Sequence, residues 1–137
     1  MVFTNGCFDL LHAGHLSLLR QAAGFGDILV VGINSDASVR RLKGSARPLV
    51  PEAERAAVLA ALTHVDAVTV FEHDTPLETL RLLRPQVLAK GEDYQLDEIV
   101  GRELVESTGG RVVRVPLVPQ RSTTSLVERI AKASASG

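Results

Sequence analysis

The sequence predicts an α/β domain built on a five-stranded, doubly wound parallel sheet with helices on both faces. Three observations predict it. Short β-prone runs alternate with helix-length stretches along the whole chain, which is the pattern of right-handed strand–helix–strand crossovers. The run Asp27-Ile28-Leu29-Val30-Val31-Gly32-Ile33 is apolar after its first residue, as in a strand covered on both faces. A glycine-containing polar turn follows the first apolar run and opens a helix. In open α/β sheets, ligands bind outside the carboxyl ends of the strands, where the strand order switches.

The elements follow in order. Val2–Thr4 is a brief β-prone run and the first strand. The apolar, alanine-rich stretch Leu16–Ala23 is helical and stops near Gly24 and Gly26. After the Asp27–Ile33 strand, Asn34-Ser35-Asp36 is a cap cluster and Ala37–Leu42 a short helix. Lys43–Pro48 is a polar loop. Pro51 opens a helix running to about Leu62, with Glu52 and Glu54 in its first turn, where proline and acids are favoured. Val65–Phe71 is the third strand. Thr75-Pro76-Leu77-Glu78 starts a helix that ends before Pro85, and Gln86–Ala89 is the fourth strand. A helix over Asp97–Ser107 stops at Gly109-Gly110, and Arg111–Val115 is the fifth strand. Ser122-Thr123-Thr124 precedes a last helix to about Ala133.

Composition narrows the class. A length of 137 residues fits one domain with a real core, expected over residues 1–132, with a small polar tail, 133–137, that frays. The formal net charge of −1 supports no broad nucleic-acid footprint. Cys7 is the sole cysteine, so no intrachain disulfide and no multi-cysteine metal site forms. No apolar run is long enough to span a membrane, and no basic stretch leads into an apolar secretion signal. The expected location is the cytoplasm.

Four constellations carry chemistry. If a helix starts at His12-Ala13-Gly14-His15, the two imidazoles share a face at a helix end whose unpaired N–H groups and dipole attract phosphate. Gly14 removes a side chain where a ligand could approach. A zinc site would need further ligands, and His64 and His73 flank a strand without a matching pattern; no protein-held metal is expected. Lys43, with Arg47 close by, is either a solvated basic loop or a phosphate binder. Lys90-Gly91-Glu92-Asp93 at the end of the fourth strand is either a helix-entry turn or the frame of a base or ribose pocket. Ser122, Thr123 and Thr124 form an N-cap and, with free N–H groups, a second phosphate cradle. Arg55 is either a surface charge or a side contact to phosphate. Two anion-binding helix starts and a lysine loop suit phosphoryl or nucleotidyl transfer, which needs positioning and charge neutralisation more than covalent help. Neither a P-loop nor a Gly-x-Gly-x-x-Gly dinucleotide loop is present.

Gly6-Cys7-Phe8-Asp9-Leu10-Leu11-His12-Ala13-Gly14-His15 resembles the G-x-F-D-x-x-H-x-G-H signature of the cytidylyltransferase-like nucleotidyltransferases, and Ser122-Thr123-Thr124 resembles their C-terminal S-[ST]-T element. The two lie near opposite ends of the chain, so the resemblance covers nearly all of it. It implies the Rossmann-like HxGH nucleotidyltransferase fold. Within the superfamily, Phe3–Asp9, Asn34–Ser38, Arg41–Gly44 with Arg47-Pro48, Asp74–Pro76 and Lys90–Tyr94 look most like the adenylyltransferases that make ADP-heptose. Those are often the C-terminal half of a protein that also carries a sugar kinase, and no kinase half is present in this sequence.

The resemblance implies that D-glycero-β-D-manno-heptose 1-phosphate attacks the α-phosphorus of ATP, with Mg²⁺ on the nucleotide phosphates and pyrophosphate leaving. His12 and His15 would stabilise charge on the α-phosphate, and Lys43 would neutralise the sugar phosphate. Ser122, Thr123 and Thr124 would hold the β- and γ-phosphates. Cys7 and Phe8 would meet the nucleotide through their backbone, with Gly14 beside it, and Lys90, Gly91 and Asp93 would frame the nucleoside. Asp9, Asp36, Lys43 and Arg55 are the expected substrate contacts, and a homodimer is the expected assembly. The alternatives are a glycerol-3-phosphate cytidylyltransferase using CTP, or a nucleotide-binding module without turnover. Glycerol-3-phosphate enzymes carry an arginine before their S-T-T element that helps read cytosine. Leu117 stands there in this chain, which favours adenine. Two further departures are Glu92, where heptose enzymes usually have a second glycine, and Gln120, where glycine is common.

Overall fold

The computed structural model describes residues 1–117 and 130–131. Ser122, Thr123, Thr124, Gln120, most of the expected last helix and the 133–137 tail lie outside the described residues. The described chain forms five strands, β1 (Val2–Gly6), β2 (Leu29–Asn34), β3 (Ala67–Phe71), β4 (Val87–Gly91) and β5 (Arg111–Val115). The helices are α1 (Ala13–Ala23), α2 (Asp36–Lys43), α3 (Glu52–Ala60), α4 (Leu77–Leu83) and α5 (Arg102–Ser107), with a 3₁₀ turn at Leu96–Glu98. The strands form one sheet in the order β3-β2-β1-β4-β5, and every pairing is parallel.

Strand alternation builds a core on both faces. Val2, Leu29, Val31, Val87 and Ala89 pack with Leu19 and Ala22 of α1 and Leu59 of α3. Their neighbours Phe3, Val30 and Leu88 point the other way, onto Leu80 of α4 and Val105 of α5. This is why β2 reads as an apolar run from Leu29 to Ile33. All six residues of β2 are buried, whereas the edge strands β3 and β5 are each exposed at two positions.

Two elements start later than the sequence predicts, for one reason. The Asp66 N–H donates to the Leu29 carbonyl at 3.0 Å, and the Asp66 carboxylate accepts from the Leu29 N–H at 2.8 Å. Asp66 therefore closes the entry to the β2–β3 ladder, leaving Ile28 and Val65 outside it. The single helix expected over Asp97–Ser107 is broken. Gly101 sits at φ +97°, and a Cβ there would lie 2.3 Å from Leu80 Cδ1. The chain turns at this glycine so that α5 can pack on α4, which leaves the 3₁₀ turn before it.

The order reverses at β1. The β1–α1–β2 unit runs to one side, and α4 then carries the chain across to β4 on the other side of β1. The switch point therefore lies between the carboxyl ends of β1 and β4. The turn before α1 and the Lys90–Tyr94 turn both open onto it.

Candidate active site

A cleft of about 280 Å³ occupies this switch point. Its lining includes Cys7, Phe8, His12, Gly14 and His15 from the β1–α1 junction, Lys43 and Arg47 from the α2–α3 connection, and Lys90, Gly91, Asp93 and Tyr94 from the end of β4. Of the expected catalytic, nucleotide-binding and substrate-binding residues that fall among the described residues, Asp36 and Arg55 are missing from the lining, as is Glu92 of the Lys90–Asp93 turn.

The junction is built by its own side chains. His12 is the N-cap of α1, with extended backbone at φ −142° and ψ 177°. Its Nδ1 accepts from the Gly14 N–H at 3.0 Å, and His15 Nδ1 accepts from the His12 N–H at 3.3 Å. The two histidines thus do what a serine and a glutamate do in a capping box. Each ring accepts through Nδ1, so each neutral ring carries its proton on Nε2. The rings stack, with centroids 3.9 Å apart at 24°. Phe8 closes the stack against His15, with centroids 5.2 Å apart at 57°. Phe8 holds φ +48°, a region rarely used by a bulky residue. Its ring folds back over Gly6, where a Cβ would lie 3.1 Å from Phe8 Cε2.

Burial, and then the neighbouring His12, lower the His15 pKa to about 4 from its ordinary 6.5. The neutral, Nε2-protonated ring is therefore the resting form at physiological pH. The unfolded chain binds a proton at His15 that the folded chain refuses between those two values. Its contribution to stability is complete above pH 6.5 and is lost as pH falls towards 4. Thermal melts over this range should show a steeper acid decline for wild type than for His15→Gln. Equal slopes would contradict the assignment.

Asp9 is buried, and its carboxylate is fully engaged. It accepts from Arg47 Nε at 2.7 Å and from the Leu49 and Val50 N–H groups at 2.9 Å. Burial alone would raise its pKa, but the two backbone donors and Arg47 outweigh it and hold the carboxyl below its usual range. Asp9 thus ties the β1–α1 turn to the basic loop. Lys43 ends α2 ahead of Gly44, which sits at φ +100°.

At the β4 side, Lys90 Nζ donates to the Asn5 carbonyl at 3.0 Å and lies 4.8 Å from the centre of the Tyr94 ring. Burial lowers its pKa to about 8, against the opposing pull of Asp93. A Cβ at Gly91 would lie 2.6 Å from Asp93 Oδ1 and 2.8 Å from Leu117 Cδ2, so glycine is what lets Asp93 and Leu117 close on this end of the cleft. Glu92 joins the β4 turn to the segment after β5. Its N–H donates to the Val115 carbonyl at 2.9 Å, and its carboxylate accepts from the Leu117 N–H at 3.3 Å. Burial pushes the Cys7 thiol above its ordinary pKa, so it stays protonated despite Lys43, Arg55 and Arg47 nearby.

Asn5, Tyr94 and Leu18 line the cleft without having been singled out. Asn5 and Tyr94 lie inside Phe3–Asp9 and Lys90–Tyr94, the stretches that carry the resemblance, whereas Leu18 has no comparable signal.

Among the described residues no group of three or more His, Cys, Asp or Glu side chains could hold a metal ion. No helix among the described residues is long and apolar enough to cross a membrane.

The profile of a family described as Cytidylyltransferase-like matches residues 3–129. A protein named "Bifunctional protein HldE" from Geobacter sulfurreducens is 61% identical over 133 residues, covering 97% of this chain and 27% of the relative. One of the same name from Magnetococcus marinus is 60% identical over 130 residues, covering 95% of this chain and 27% of the relative. The chain thus spans about a quarter of the length of these curated relatives. A solved structure described as a lipopolysaccharide core biosynthesis protein from Thermoplasma volcanium superposes with a TM-score of 0.69 at 29% identity, covering 85% of this chain and 94% of that one.

Proposed function

The chain belongs to the cytidylyltransferase-like family, and from that membership we propose that it transfers AMP from ATP to D-glycero-β-D-manno-heptose 1-phosphate, giving ADP-heptose and pyrophosphate. The observation that carries the reading is the stacked His12–His15 pair at the start of α1, facing a cleft whose other walls are Lys43, Arg47 and Lys90.

The reaction is one in-line displacement. A phosphate oxygen of the sugar phosphate attacks the α-phosphorus of ATP, and the bond to the β-phosphate oxygen breaks. Nucleophile and leaving group are both anionic, so the barrier is dominated by bringing negative charges together. The α1 N-terminus and the Nε2–H donors of His12 and His15 would face the charge that grows on the α-phosphate oxygens. Phe8 would add its backbone N–H. Lys43 and Arg47 would receive the sugar phosphate, with Arg47 held in place by Asp9. Lys90 would hold its charge in the cleft beside Asn5. Gly91, Asp93 and Leu117 would frame the nucleoside, with no guanidinium from residue 117 to read cytosine. Ser122, Thr123 and Thr124 would take the β- and γ-phosphates. Mg²⁺, when bound on those phosphates, supplies charge neutralisation of the leaving pyrophosphate. The names of the relatives are consistent with a unit that occurs as part of a two-function protein. A homodimer working in the cytoplasm remains our reading of the assembly.

The test is product formation with purified chain, Mg²⁺, ATP or CTP, and heptose 1-phosphate or glycerol 3-phosphate. ATP with heptose 1-phosphate should be preferred. Preference for CTP would overturn the base, and preference for glycerol 3-phosphate would overturn the acceptor.

A further inference from the structure

Arg55 on α3 is the bulkiest fully buried side chain among the described residues, and it lies behind the cleft instead of in its lining. Its Nε donates to the Val50 carbonyl at 2.9 Å. One terminal nitrogen donates to the carbonyls of Cys7 at 2.7 Å and Asn34 at 2.9 Å. The other donates to Asp36 Oδ1 at 2.8 Å. Burying a guanidinium is a poor route to stability, since an apolar side chain of similar volume often does as well. What an apolar residue cannot do is hold carbonyls from three separate segments in one plane.

The Cys7 carbonyl is the one that bears on chemistry. A trans peptide is planar, with its C=O and N–H on opposite sides. When Arg55 draws the Cys7 oxygen back towards α3, the Phe8 N–H turns forward, on the side where Cys7 and Phe8 line the cleft. That N–H has no acceptor among the described residues. The peptide leads into Phe8 at φ +48°, a conformation that persists only when its surroundings enforce it.

We propose that Arg55 is a positioning residue that fixes the Cys7–Phe8 peptide so that the Phe8 N–H meets a phosphate oxygen of the nucleotide. The proposal rests on the nucleotidyl-transfer reading above. Lysine cannot replace this fork, because an ammonium is a point charge with three donors and no planar reach.

The experiment combines kinetics with ¹H–¹⁵N spectra of the full chain. In wild type, the Phe8 amide resonance should shift on saturation with Mg²⁺ and ATP. In Arg55→Lys, kcat should fall about tenfold to a hundredfold, with KM for ATP within about threefold of wild type and the Phe8 response lost. Because that variant leaves a carbonyl or the Asp36 charge poorly paired, the dispersion of its remaining amide resonances checks that it is folded. A folded Arg55→Lys with kcat within about threefold of wild type would overturn the proposal. So would a wild-type Phe8 amide that ignores saturating nucleotide. A wild type that shifts at Phe8 yet turns over no sugar phosphate would count against the reaction and leave the Phe8 contact standing.

Discussion

His15→Ala is expected to turn over about a hundredfold or more slowly than wild type while keeping its fold, the scale for losing one transition-state donor. His15 is held on three sides. Its ring lies between Phe8 and His12, and its Nδ1 accepts the His12 N–H. That leaves the protonated Nε2 as the atom proposed to meet the α-phosphate. Alanine removes that donor and one half of the capping box. The cap costs about 1 kcal/mol, too little to unfold a domain whose core lies elsewhere. His12→Ala should lose similar activity and slightly more stability, because it removes the N-cap acceptor for Gly14. The two losses should not add, since the rings act as one stacked unit. Circular dichroism separates folding from chemistry, and a folded His15→Ala with near-normal kcat would contradict the mechanism.

Asp9→Ala is expected to show the largest loss of stability, about 3 kcal/mol or roughly a 10 °C fall in Tm. Alanine would leave Arg47 and the Leu49 and Val50 N–H groups without their acceptor in a buried place. The same change should raise KM for the sugar phosphate, because the loop between Lys43 and Val50 loses its tether to the β1–α1 turn. The pH dependence has a definite sign. Asp9 has a lowered folded pKa, so its stabilisation is present above the unfolded value of about 3.9 and is lost as pH falls through the folded one. A melt for Asp9→Ala within about 2 °C of wild type would show the tether to be idle.

The fold was legible because its signals are local. One continuous apolar run marked the central strand β2, and the alternation of strand-length and helix-length stretches marked the parallel crossovers. The candidate site was legible where the cleft and local structure use the same residues, as with His12 and His15, which line the cleft and cap the helix that presents them. It was not legible where a residue acts across long separations. Arg55 reads as a surface charge or a phosphate contact until the fold brings Cys7, 48 positions away, and Asn34, 21 positions away, onto its guanidinium. Asp36 likewise turns out to join α2 to α3, accepting from the Glu52 N–H and from Arg55. Glu92 stands where heptose enzymes usually have glycine, and in the fold its carboxylate accepts from the Leu117 N–H. The broken helix at Gly101 follows from the approach of Leu80, which no local periodicity encodes.

The central claim is AMP transfer to a sugar 1-phosphate, and the most direct measurement of it is the mass of the product. Purified chain incubated with Mg²⁺, ATP and D-glycero-β-D-manno-heptose 1-phosphate should yield ADP-heptose and one pyrophosphate per turnover. No heptose-linked product with ATP, or its appearance only with CTP, would contradict the account.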